Sequence, residues 1–109
     1  MTLIATTPRA PRYALQTRVV YRREGDEAWQ EGRAVNVSRS GVLFQPHGMS
    51  PPRAAVIEFV LELPSVSPHG HARVACRGRV ARCSSGPVLP AVAATIDSYR
   101  FLDPTAPTP

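Results

Sequence analysis

Short runs in which apolar and polar residues alternate, separated by clusters of Gly, Pro and small polar residues, fill most of this 109-residue chain. A period of two puts successive side chains on opposite faces of an extended backbone, whereas a helix repeats its apolar positions three and four apart. From Tyr13 to Arg22, Leu15, Thr17, Val19 and Tyr21 share one parity, and Gln16, Arg18 and Arg22 the other. Ala54 to Leu63 sets Ile57, Phe59, Leu61 and Leu63 against Glu58 and Glu62. In His71 to Cys83, Ala72, Val74, Cys76, Gly78 and Val80 oppose Arg73, Arg77 and Arg79. Trp29 to Val37 and Gly41 to Gln45 read as further strands, and a last one begins with Val92, Ala94 and Ile96 and runs to about Tyr99. Turn chemistry fills the gaps at Arg23 to Glu27, Pro46 to Pro52, Pro64 to Gly70 and Ser84 to Pro90. The pattern predicts an all-β barrel or sandwich.

Length and a hydrophobic share of 43% suit one domain around a single core. No run is apolar and long enough to cross a bilayer, and Met1-Thr2-Leu3-Ile4-Ala5 lacks the basic head and apolar stretch of a signal peptide. The expectation is therefore a cytoplasmic protein without membrane insertion. Residues 1–8 are expected to form a flexible leader and 103–109, rich in Pro, a disordered tail, leaving 9–102 as the folded domain. The net charge of +5 favours an anionic partner. All 13 basic residues are Arg. A GC-rich coding bias is one explanation and the favoured one; the other is that Arg brings a planar fork suited to phosphates and base edges. An aromatic share of 6% argues against a platform for nucleic acid, on which successive bases stack.

Cys76 and Cys83 lie in one predicted strand, about 23 Å apart if extended and so beyond disulfide reach. Their odd separation sends them to opposite faces unless a bulge intervenes. His47, His69 and His71 complete no metal-ligand spacing with them. No nucleophile with a base, paired carboxylates or metal cluster can be found, so neither an enzyme nor a cofactor is expected. Trp29 reads as a packing anchor or rim residue.

Two stretches carry the functional reading. Asn36-Val37-Ser38-Arg39-Ser40-Gly41 joins two strands. Such residues either bond nearby backbone in a tight corner or present short polar side chains and bare backbone to a ligand. Upstream stands an arginine-bearing arm, Pro8-Arg9-Ala10-Pro11-Arg12-Tyr13. An arginine arm, a strand, a hairpin and an Asn-x-Ser-x-x-Gly corner resemble the PilZ domain family, whose signature joins an Arg-x-x-x-Arg arm to an Asp/Asn-x-Ser-x-x-Gly turn. The likeness extends through the strand spacing to Leu102. It implies a small six-stranded antiparallel β-barrel, here with little or no C-terminal helix. It also implies a bacterial receptor that binds the second messenger cyclic di-GMP and signals to a protein effector partner. By resemblance Arg9 and Arg12 contact guanine and phosphate, Asn36 meets a guanine edge, Ser38 bonds phosphate or base, and Gly41 keeps the corner's shape.

The chain departs from the pattern at Pro8, which stands where the first Arg of Arg-x-x-x-Arg belongs. One charge-assisted hydrogen bond is worth about 1.5 to 3 kcal/mol, so two outcomes stand open: the missing guanidinium weakens binding roughly 10- to 150-fold, or Arg9 on a mobile arm compensates for it. Arg18 and Arg22 repeat the arm's spacing but line the polar face of a strand, too close to Asn36. The alternative to a receptor is a degenerate PilZ-like adaptor that binds a protein partner, as in motility or pilus machinery, without nucleotide.

Overall fold

The computed structural model describes residues 13–64, 71–84 and 90–102, so the expected leader and tail lie outside the described residues. The strands are β1 Tyr13–Arg23, β2 Gln30–Val37, β3 Gly41–Pro46, β4 Val56–Pro64, β5 His71–Ser84, β6 Ala91–Thr95 and β7 Ser98–Phe101. All pairings are antiparallel, in the order β4, β1, β2, β3, β6, β5, and β5 pairs again with β4. The sheet therefore closes on itself as a six-stranded barrel. The described residues contain no helix.

Alternation becomes inside and outside. Val19, Tyr21, Ile57, Phe59, Leu61, Val80 and Val92 are buried in the central core. Tyr21 and Phe44 pack with ring centroids 5.0 Å apart, and the Tyr21 hydroxyl donates to the Met49 carbonyl at 3.2 Å. On the outer face, Arg22 lies opposite Glu58 with Nε 2.9 Å from its carboxylate, and Arg18 reaches Glu31 at 2.8 Å. Arg77 pairs with Glu24. Exposed pairs of this kind contribute at most about 1 kcal/mol each, and they offset the charge of Arg18, Arg22 and Arg77. Trp29 has the Arg22 guanidinium 4.4 Å above its ring, a cation–π contact at the edge of the sheet.

The expected single last strand is broken. β6 and β7 both run along β5, interrupted at Ile96 and Asp97. Gly78 explains how this junction fits. A Cβ built on it would lie 1.7 Å from the Thr95 carbonyl oxygen, so the backbone at Thr95 crosses directly over the space that any other side chain would fill. The Thr95 hydroxyl then takes over part of the ladder's work, accepting from the Arg79 N–H at 3.0 Å.

Two bulges re-phase strands. In β5 the register against β6 shifts between Val80 and Arg82, so Cys83 pairs with the buried Val92. Directly paired residues share a face, so Cys83 lies on the same sheet face as Cys76, not the opposite one expected without a bulge. Cys83 is nonetheless exposed, donating to the Pro51 carbonyl at 3.3 Å, while Cys76 is buried, and both are free thiols.

Gly78→Ala should destabilise the barrel by more than about 3 kcal/mol, because backbone and not a movable side chain obstructs the new methyl group; urea unfolding measures it. Burial pushes the Cys76 thiol up to about 12 from its ordinary 9.0. The native state therefore keeps a proton that the unfolded chain releases, and stability should fall as pH rises from about 9 towards 12. Cys76→Ala should flatten that part of the profile. At pH 8 a thiol reagent should modify Cys83 rapidly in the folded protein and Cys76 only on unfolding; fast modification of both would contradict the burial.

Candidate functional site

The Asn36–Gly41 corner is positioned by a bulge. In β2 the register against β3 shifts between Ala34 and Asn36: Ala34 pairs with Phe44, Asn36 with Leu43, and Val37 with Val42. Ala34, Phe44, Val37 and Val42 are all core residues. Without the extra residue, Asn36 would share the inward parity of Ala34; with it, Val37 turns in and Asn36 turns to the outer face beside Leu43. Asn36 is half-buried and engaged in interactions there.

Ser38 serves the corner itself. It is 7% exposed; its N–H donates to the Gly41 carbonyl at 2.8 Å, and its hydroxyl accepts from the Ser40 N–H at 3.2 Å. The Ser38 and Ser40 hydroxyls stand 3.3 Å apart. The corner is then fastened to the barrel seam, because the Ile96 N–H donates to the Ser40 carbonyl at 2.9 Å and Gly41 pairs with Thr95. A Cβ on Gly41 would meet the Ala94 carbonyl oxygen at 3.0 Å, so this glycine allows β3 to approach β6 closely.

Of the residues singled out from sequence, Asn36, Ser38 and Gly41 thus sit together on one rigid turn, and Arg9 and Arg12 lie outside the described residues. The strand that follows the arm is nevertheless placed: Tyr13 pairs with Val37 and Ala14 with Asn36. The described chain therefore begins alongside the corner.

Arg39, an unassigned position within the Asn-x-Ser-x-x-Gly pattern, proves to be the exposed cation at the corner's tip, with no ion pair among the described residues. It also borders an apolar groove of about 250 Å³ that reaches Leu61, Leu63, Tyr99 and Phe101. Nothing in the alternation of β7 reveals that its two aromatics remain uncovered. A wider groove of about 500 Å³ crosses the outer face between Trp29 and Arg100, but Arg22 and Arg77 within it are already paired with glutamates. The described residues hold no group of His, Cys, Asp or Glu able to bind a metal ion, and no helix long and apolar enough to cross a membrane.

Neither sequence families nor curated proteins match the chain. In structure it is similar to the Bacillus subtilis inhibitor of motility (MotI/DgrA), with a TM-score of 0.71 and 14% sequence identity. The match covers 85% of this chain and 44% of that one, so the chain spans less than half the length of its neighbour. At that identity the likeness concerns the fold, and the six-stranded barrel is the PilZ-like architecture that the sequence resemblance implied.

Ser38→Ala removes the acceptor for the Ser40 N–H and should cost about 1 kcal/mol in urea unfolding, while Arg39→Ala should leave stability within about 0.5 kcal/mol.

Proposed function

We propose that this chain is a non-catalytic receptor for cyclic di-GMP, in which Arg9 and Arg12 close over a ligand seated on the Asn36–Gly41 corner. The pairing of Tyr13 with Val37 carries the reading. Arg12 is one peptide bond from Tyr13, about 3.8 Å between Cα atoms, and Arg9 lies within roughly 10 Å more of extended chain. Covalent connectivity alone thus keeps both guanidiniums within reach of the corner. The ligand's two phosphates and two guanines call for such cations, which bind phosphate, bond guanine O6 and N7 as a fork, or stack on the purine. Arg39 adds a cation at the tip that has no ion pair among the described residues, and the outward turn of Asn36 suits contact with a base edge.

The chemistry is recognition without turnover or cofactor. Ligand closure of the arm changes the surface around the corner, and a protein partner in the cytoplasm reads the change. The fold shared with an inhibitor of motility supports an adaptor of this kind and makes motility machinery a reasonable place to look for the partner.

The internal engagement of Ser38 and the proline at position 8 favour one alternative, a barrel that binds its protein partner without nucleotide. Calorimetric titration decides between them. Cyclic di-GMP should bind selectively over linear pGpG and GTP, and Arg12→Ala should weaken binding at least about tenfold, the effect of losing a charge-assisted contact. Ser38→Ala, checked to be folded, should also weaken it. No heat with cyclic di-GMP, together with partner binding indifferent to Arg12→Ala, would leave the nucleotide-independent adaptor.

A further inference from the structure

Beside the corner the barrel wall is open. β3 pairs with β6 as far as Gly41 and Thr95, and beyond that point β7 follows β5 alone, with Tyr99 opposite Cys76 and Phe101 opposite Val74. The opening is the apolar groove of about 250 Å³, floored by Leu61, Leu63 and Val74. Tyr99 and Phe101 stand in its wall 57% and 66% exposed, their rings edge to face with centroids 6.1 Å apart. Two large exposed aromatics on one apolar groove are an interaction feature in a barrel whose Tyr21, Phe44 and Phe59 rings are buried.

The backbone at this place is also unfinished. Among the described residues nothing pairs with the second edge of β7. The Leu102 N–H donates to the Arg73 carbonyl at 2.8 Å, and this fixes the alternation. Leu102 and Arg100 turn their backbone groups towards β5, and Tyr99 and Phe101 turn theirs towards the open side. The free N–H and C=O groups therefore belong to the same two residues whose rings wall the groove.

We propose that this groove docks an extended segment of a protein partner that alternates apolar and acidic residues and adds as a strand to the open edge of β7. Main-chain bonds to Tyr99 and Phe101 would supply affinity, and alternate apolar side chains would enter the groove. The acidic preference follows from charge. Arg39 at the corner and Arg100 on the opposite face of β7 are exposed and unpaired among the described residues. Asp97, exposed at the β6–β7 junction, confines the acidic positions to the Phe101 half. The chain's +5 charge opposes a second copy of itself on the same edge. Among its described lining residues the groove carries one cation, Arg39, against the two phosphates of a dinucleotide, and its floor suits apolar peptide side chains. The inference extends the adaptor part of the proposed function but does not depend on nucleotide.

The test uses the full chain without nucleotide and a fluorescent peptide, Leu-Glu-Val-Glu-Leu-Glu-Val. Saturable anisotropy binding should weaken at least about tenfold with Phe101→Ala, with N-methylation of the peptide's alternate amides, and with lysine in place of its glutamates. Hydrogen exchange should find the Tyr99 and Phe101 amides fast in the free monomer and slowed by the peptide. Absence of saturable binding, or binding indifferent to N-methylation, overturns the proposal. Slow exchange of these amides in the free monomer overturns it in favour of a segment of the chain itself, and a dimer dissociated by Phe101→Ala in favour of a second copy. Failure of cyclic di-GMP to bind would leave the peptide result unaffected, so the two readings fail separately.

Discussion

Closure of the barrel rests on one close passage of backbone, the crossing of Thr95 over Gly78. On its far side β3 pairs with β6, whose Val92, Ala93 and Ala94 pair at the same time with β5, so β6 lies against both neighbours up to the crossing. A side chain at position 78 would prevent that approach. The Thr95 hydroxyl repairs the ladder where the strand departs, and the Ile96 N–H reaches across to the Ser40 carbonyl. The same crossing thus closes the sheet, anchors the Asn36–Gly41 corner, and leaves β7 following β5 alone beyond the seam.

The distribution of charge follows from the register. Glu31, Glu58 and Glu24 offset Arg18, Arg22 and Arg77 on the outer face of a chain with a net charge of +5. Such pairs add little stability at the surface. Among the described residues the exposed arginines without an ion pair include Arg39 at the corner's tip and Arg100 beside the open edge, together with Arg33, Arg79 and Arg82 along the barrel. An anionic ligand at the corner or an acidic segment at the open edge meets one of these guanidiniums.

Strand positions were legible because inward and outward residues alternate with a period of two and the loops carry Gly and Pro. Ile57, Phe59 and Leu61 fall in the core as their parity requires. The corner was legible too, since its residue types have few other uses in that spacing. The bulges were not. A bulge inserts one residue without altering the local composition, yet it turns Asn36 outward, carries Val37 inward, and returns Cys83 to the face of Val92. The break at Ile96 and Asp97 was hidden for the same reason, because those residues continue an apolar and polar pattern that a single strand also satisfies.

Sequence by itself determined that this chain forms an all-β domain, where its strands lie as far as β5, and which turn gathers Asn36, Ser38 and Gly41, because local periodicity and turn chemistry act over a few residues. Only the tertiary structure decided which way Asn36 points, why position 78 must be glycine, and that Tyr99 and Phe101 are exposed beside Arg39. Those outcomes depend on pairings between residues distant in the chain, where a one-residue shift in register reverses every side chain that follows it.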